Sequence, residues 1–249
     1  MSHLEQITAI ATTTFYKPGS ENDAMRAELA KSTIRKATDL GYGVVVVDGG
    51  SSDELLREFE RYGAQVFLEK SMNMGQSRRH AIERARNLGR EVVAWTEPEK
   101  DSYIPELYKT VEAVILGHGA DIVVPRRHSL ESYPVVQQHA EQLGNSFWKE
   151  LTGHDLDVWV GPRTFTRDAA EYFLNYNGEY GDKWDSIFIP VMDAIIDGKN
   201  VKSVTIEYTH PRQQTALEEH DLTLYWKRLE QLQNLLGALE KHWKKRNPA

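Results

Sequence analysis

Two places in this chain put acidic side chains where their neighbours predict the end of a strand. Asp48 closes the run Val44-Val45-Val46-Val47 and is followed by Gly49-Gly50-Ser51-Ser52-Asp53. Four consecutive valines read as a strand covered on both faces, as in a parallel sheet flanked by helices. Ligands bind at the C-terminal edge of such sheets, so Asp48 is a candidate contact to a polar small molecule such as a nucleoside. The same residues suit an ordinary turn with a helix N-cap at Ser52 or Asp53, and both readings stand. The second place is Trp95-Thr96-Glu97-Pro98-Glu99-Lys100. Pro98 favours an extended Glu97, which sends Glu97 and Glu99 to one side. Such a pair can hold Mg²⁺ or Mn²⁺ and, through the ion, a diphosphate. Its alternative is a solvated acidic loop with Lys100 as internal partner.

Strands and helices must bring these groups together. Ile7–Thr12, Val44–Val47, Gln65–Leu68, Glu91–Trp95 and Ala120–Val124 read as strands. Between them, helices are expected from Asn22 or Asp23 to Asp39, Asp53 to Tyr62, Gln76 to Leu88 and Pro105 to Leu116, most of them stopped by a glycine. This alternation predicts a doubly wound, mainly parallel α/β sheet. Beyond Ser129 the rhythm changes. Tyr133–Leu151, Arg167–Leu174 and Asp185–Ile196 read as helices, with Pro190 a start, kink or break, while Asp157–Phe165 is irregular or strand-like. Val201–Tyr208 alternates as a last strand with one apolar face. Along Leu222–Trp243, Tyr225, Leu229, Leu232, Leu236, Leu239 and Trp243 form an a/d seam. That seam suits packing on the same chain or a homodimer contact. We expect one domain over 1–249, with a nucleotide-binding half at 1–128, an acceptor half at 129–220 and a C-terminal helix at 221–249.

Composition narrows the class. A formal charge of −7 and a pI near 5.7 argue against a dedicated nucleic-acid binder. With no cysteine there is no disulfide, thiolate metal site or cysteine nucleophile, so a metal would need oxygen or imidazole ligands. No apolar run approaches the ~20 residues that span a bilayer, and the N-terminus lacks the regions of a signal peptide, so a soluble cytoplasmic protein is expected. Thr12-Thr13-Thr14-Phe15-Tyr16-Lys17-Pro18 follows the first strand without G-x-G-x-x-G, and no P-loop occurs. A phosphate-bearing ligand would therefore rely on a metal or basic side chains.

Taken in order, VVVVDGGSSDE, NMGQSRRHAIERA, the strand ending in Glu97 and Glu99, ADIVVPRR, and Asp157-x-x-x-Gly161-x-Arg163-x-Phe165-x-Arg167 resemble a GT-A glycosyltransferase of the family 2 kind. The similarity is greatest to the dolichyl-phosphate mannose synthase and glucosyl-phosphoglycerate synthase branches and spans roughly residues 7 to 210. It implies transfer of a sugar from a nucleotide-diphospho-sugar to an unidentified acceptor. By this resemblance Asp48 meets the base, Thr12 and Thr13 line its pocket, and Asn73, Gly75 and Arg79 lie near base and diphosphate. Glu97 and Glu99 replace the family's D-x-D, each carboxylate one methylene further out, and His210 is the expected third metal ligand. Asp185, with Asp182 as fallback, stands where several members place an acidic residue that could serve as base, although either could simply cap a helix. Arg126, Arg127 and Arg163 are candidates to neutralise diphosphate or an acidic acceptor, or else form ion pairs. Trp159, Tyr180 and Trp184 could stack on a sugar ring or belong to the core. The missing D-x-D keeps a non-catalytic nucleotide-sugar binder open. A nucleotidyltransferase is disfavoured because its Gly-rich, basic first loop is missing.

Overall fold

The valine run is buried on both sides, and its alternation defines two cores. Val45 and Val47 pack on one face of a sheet, Val44 and Val46 on the other. The computed structural model describes residues 3–69, 73–116, 119–219 and 221–247. Among them the strands are β1 (Thr8–Thr14), β2 (Gly43–Asp48), β3 (Gln65–Leu68), β4 (Val92–Trp95), β5 (Ile122–Arg127), β6 (Arg163–Thr166) and β7 (Val201–Ile206). They form one sheet in the order β3-β2-β1-β4-β6-β5-β7. Neighbouring pairs are parallel except at β6, which runs antiparallel to both β4 and β5. The segment at 157–165, expected to be irregular or strand-like, is a 3₁₀ turn, Val158–Val160, followed by a central strand.

In chain order the helices are α1 (His3–Gln6), α2 (Glu21–Asp39), α3 (Asp53–Arg61), α4 (Met74–Arg86), α5 (Leu107–Ile115), α6 (Val135–Thr152), α7 (Ala170–Leu174), α8 (Asp185–Ile196), α9 (Arg212–Glu218) and α10 (Leu222–Arg246). The short α1 and α9 are additions to the sequence expectation. Helices α2, α3 and α5 cover one face of the sheet; α4, α6, α7, α8 and α10 supply the other core. Helix starts follow local chemistry. Ser52 caps α3 by accepting from Leu55 N at 3.3 Å, and Asn73 forms a reciprocal capping box with Gln76 at the start of α4. Pro190 neither starts nor breaks α8, which continues through it.

Along α10, Leu232, Leu235 and Leu239 are buried, and the helix packs on α6 and α8 of its own chain. Leu222, Trp226 and Leu229 remain exposed. No helix among the described residues is long and apolar enough to cross a membrane.

Candidate active site

The sheet order brings the C-terminal ends of β1, β2 and β4 to one edge. Because β6 is antiparallel, it starts there: Arg163 is the register partner of Trp95. Beyond β4 a cleft opens, closed on its far side by α9 and α10. Among the described residues its charged lining consists of Arg26, Arg78, Lys100, Lys227 and Arg228 against Glu97, Glu99, Glu141 and Glu218, with His210 beside them. Cations outnumber carboxylates here although the whole chain is acidic.

Asp48 ends β2 at this edge, as expected, but its carboxylate is fully buried and serves the turn that follows. Oδ1 accepts from Gly50 N and Ser51 N, both at 2.7 Å; Oδ2 accepts from Thr14 Oγ1 and Ser51 Oγ, both at 2.6 Å. Four such bonds saturate a carboxylate. Asp48 therefore shapes the β2 turn and ties it to the end of β1. Thr12 and Thr13 lie in register with Val46 and Val47, and none of the three lines the cleft. Thr12 Oγ1 is buried without a hydrogen-bond partner.

Glu97, Glu99 and His210 do come to one cleft, but not as a metal centre. A divalent ion needs several oxygen or imidazole donors converging on one point. Glu99 Oε1 instead accepts from Tyr16 Oη at 2.9 Å and pairs with Arg26 at 2.7 Å. His210 stacks on Tyr133, ring centroids 4.3 Å apart, with Nε2 3.6 Å from Glu218. Glu97 acts on two buried guanidinium groups, Arg78 and Arg163, and its Oε2 has no hydrogen-bond partner. Among the described residues no three His, Asp or Glu side chains are placed to hold a metal ion. The donor types suit Mn²⁺; their arrangement does not, because Glu99 is held by Arg26 and Tyr16 and His210 is stacked on Tyr133, which leaves Glu97 without a second donor converging on it.

Burial opposes charge on these groups. It lowers the Arg163 pKa to about 10, against Glu97, and pulls Arg78 below its ordinary value. Burial likewise holds His210 below 6.5 despite Glu218, so the imidazole is neutral at pH 7. Arg163 donates to the carbonyls of Val158, Gly161 and Pro162 at 2.5, 3.2 and 2.8 Å, which pins the turn ahead of β6.

Several expected site residues pair with one another outside the cleft. Arg79 grips Asp182 through two bonds of 2.5 and 2.8 Å, and Gly75 N donates to Asp182 O at 2.9 Å. A Cβ on Gly75 would lie 1.9 Å from Asp182 Oδ1, so glycine is required. Asn73, Gly75 and Arg79 thus anchor the loop before α8 to the start of α4. Asp182 sits at φ +57°, in the left-handed region that Asp tolerates better than most residues. Asp185 is buried and accepts from Tyr176 Oη, Asp182 N and Lys183 N. Neither carboxylate reaches the cleft in the role of base; both fold the 182–185 turn. Arg126 pairs with Asp155 at 3.2 Å. Arg127 is clamped by Asp157, at 2.8 and 2.7 Å, and by Glu141 at 2.5 Å. Trp159 and Trp184 line the cleft; Tyr180 does not.

Sequence reasoning missed Arg78 and Arg26, and gave Lys100 only as the internal partner of an acidic loop, a pairing that the described residues do not show. For Arg78 a signal existed: Gly75, Arg78, Ala81, Ile82 and Ala85 are the buried stripe of α4, and that spacing turns Arg78 inward and Arg79 away. Arg26 and Lys100 carry no comparable mark.

No protein-family profile matches the chain, and no curated protein matches its sequence. Solved structures do. Glucosyl-3-phosphoglycerate synthase from Mycobacterium tuberculosis, in complex with Mn²⁺, UDP and glucosyl-3-phosphoglycerate, aligns with TM-score 0.64 and 13% identity over 94% of this chain and 82% of that one. The same enzyme with Mn²⁺, UDP-glucose and phosphoglyceric acid gives TM-score 0.65 and 14% identity over 95% and 82%. A mycobacterial protein aligns with TM-score 0.62 and 14% identity over 93% and 74%. Likeness at such identity is one of fold: this chain has the GT-A architecture of the synthase, a mainly parallel sheet flanked by helices on both faces.

Proposed function

We propose that the protein is a glycosyltransferase using a nucleotide-diphospho-sugar donor, with the diphosphate held in the cleft beyond β4. The observation that carries this reading is the excess of cationic side chains at the ligand-binding edge of a GT-A sheet in an otherwise acidic chain. Breaking the bond between sugar and diphosphate builds charge on the departing phosphate. Preorganised cations in a partly desolvated site stabilise that charge. Arg26, Arg78 and Lys100 stand on the sheet side for this purpose. Lys227 and Arg228 reach in from α10 and suit an acceptor bearing an anionic group. Crystals of the synthase hold UDP-glucose and phosphoglyceric acid, which makes them the first donor and acceptor to test.

Calorimetric titration with UDP, GDP and their sugars tests the donor half. Release of UDP from UDP-glucose on adding 3-phosphoglycerate or another small anionic alcohol tests the transfer. If none of these nucleotides binds, the reading falls.

A further inference from the structure

Lys100 follows Glu99 directly and points into the cleft among the groups expected to hold a metal. Its Nζ lies 4.7 Å from the centre of the Tyr208 ring. Tyr208 leans on Tyr133 with ring centroids 6.1 Å apart, and Tyr133 also stacks with His210. This aromatic pile braces the ammonium without neutralising it. Among the described residues, Lys100 Nζ has neither a carboxylate oxygen within 4.0 Å nor a hydrogen-bond partner. Glu97 is close enough to act on it, yet Glu97 also faces Arg78 and Arg163. A cation so placed, on an aromatic face and short of a counter-ion, is disposed to receive an anion.

Three of the four carboxylates of the cleft are engaged in turn. Glu99 is held by Arg26, Glu141 by Arg127, and Glu218 lies against His210. A divalent ion entering between Glu97 and His210 would meet the Lys100 ammonium at close range, and like charges there oppose shared occupancy. A diphosphate brings the opposite charge and needs no rearrangement of these pairs.

We propose that Lys100, rather than a divalent ion, is the cation that receives the donor's diphosphate, so that nucleotide binding does not depend on metal. The proposal rests on the donor reading above. It assigns to a side chain of this protein the charge that an ion would otherwise supply.

The test is calorimetric titration of the full chain with UDP, once in EDTA and once in MnCl₂, for the unaltered protein and for Lys100→Met and Lys100→Arg. Thermal melts confirm that each variant is folded. The expected result is a dissociation constant that agrees within about twofold in the two buffers. Loss of one charge-assisted contact in Lys100→Met should weaken UDP binding in EDTA roughly 10- to 100-fold, and Lys100→Arg should retain most of it. Binding that appears only with MnCl₂ overturns the proposal and leaves the donor reading intact. Unchanged affinity of Lys100→Met in EDTA overturns it too. Absence of UDP binding in both buffers defeats the proposal together with the UDP form of the donor reading.

Discussion

Arg127→Met should destabilise the protein severely while removing no group from the cleft lining. The Arg127 side chain is 1% exposed and is the only cation paired with both Asp157, 9% exposed, and Glu141, 5% exposed, among the described residues. Its side chain makes two hydrogen bonds to Asp157 and an ion pair with Glu141, and it lies 4.9 Å from the centre of the Tyr133 ring. Methionine preserves the apolar stem and deletes the charge, leaving two buried carboxylates without their cation. Breaking a buried pair in this way costs about 3 to 5 kcal/mol. For a domain of this size that corresponds to a fall in Tm of roughly 6 to 20 °C.

The dependence on pH has a definite sign. Burial alone would raise the Asp157 pKa, but the hydrogen bonds and charge of Arg127 outweigh it and hold the group below its ordinary 3.8. In the unaltered protein that stabilisation is present above the ordinary value and lost as pH falls through the lower folded value. Without the Arg127 guanidinium, burial is opposed only by the hydrogen bonds from Asn145 and from the backbone N–H of residue 127, and the folded pKa rises. The penalty of the variant should therefore be greatest at neutral pH and shrink as pH falls through the raised value. Urea unfolding followed by circular dichroism between pH 4 and 7.5 measures both effects. Asp157→Asn with Glu141→Gln in the same chain should restore most of the loss, because no uncompensated charge remains buried. A loss under about 1 kcal/mol for Arg127→Met, or no recovery in the triple variant, would refute the reasoning.

Three further outcomes follow from the geometry. Gly161→Ala places a Cβ 2.1 Å from Glu97 Oε1 at φ +94°, so it should lower stability by at least about 1 kcal/mol and weaken nucleotide binding; unchanged affinity for UDP would count against Glu97 as a cleft group. Asp182→Asn keeps a residue tolerant of positive φ but loses the charge held by Arg79, at a cost of about 1 to 3 kcal/mol. Since hydrogen bonding to Arg79 depresses the Asp182 pKa, that loss should be full above about pH 4 and fade as pH falls through the folded value, with UDP affinity unchanged; calorimetry at two pH values would show otherwise if Asp182 served the ligand. His210, kept neutral by burial, should titrate below 6.5 in imidazole NMR spectra. The unfolded chain then binds the extra proton first, so stability should decline as pH falls through 6.5; a His210 signal titrating at or above that value would contradict its buried, stacked placement.

Much of the architecture was legible before folding because it depends on local pattern. The four valines, the glycine stops and the apolar stripes of α2 to α5 each report which side of an element faces inward. The placement of Asp48 and of Glu97 at strand ends follows from the same arithmetic, and so does their arrival at one edge of a parallel sheet. Insertion of β6 between β4 and β5 was not legible. Its four residues pair with strands far away in the chain, and nothing in their composition states a direction.

Residue types by themselves determined that this chain would build an α/β sheet, that acidic groups would crowd its ligand-binding edge, and that no cysteine or glycine-rich phosphate loop would take part. Tertiary structure decided which charges meet. Arg79 and Asp182 are 103 positions apart and close on each other, whereas the adjacent Arg78 turns into the cleft. Asp48 was claimed by its own turn, Glu99 by Arg26 and Tyr16, and Arg127 by two buried carboxylates. Ion pairing depends on distance and desolvation between elements remote in sequence, and neither is written in spacing along the chain. That is why candidate groups could be named from the sequence, while the place of Lys100 in the cleft, without a paired carboxylate, emerged only when the chain had folded around it.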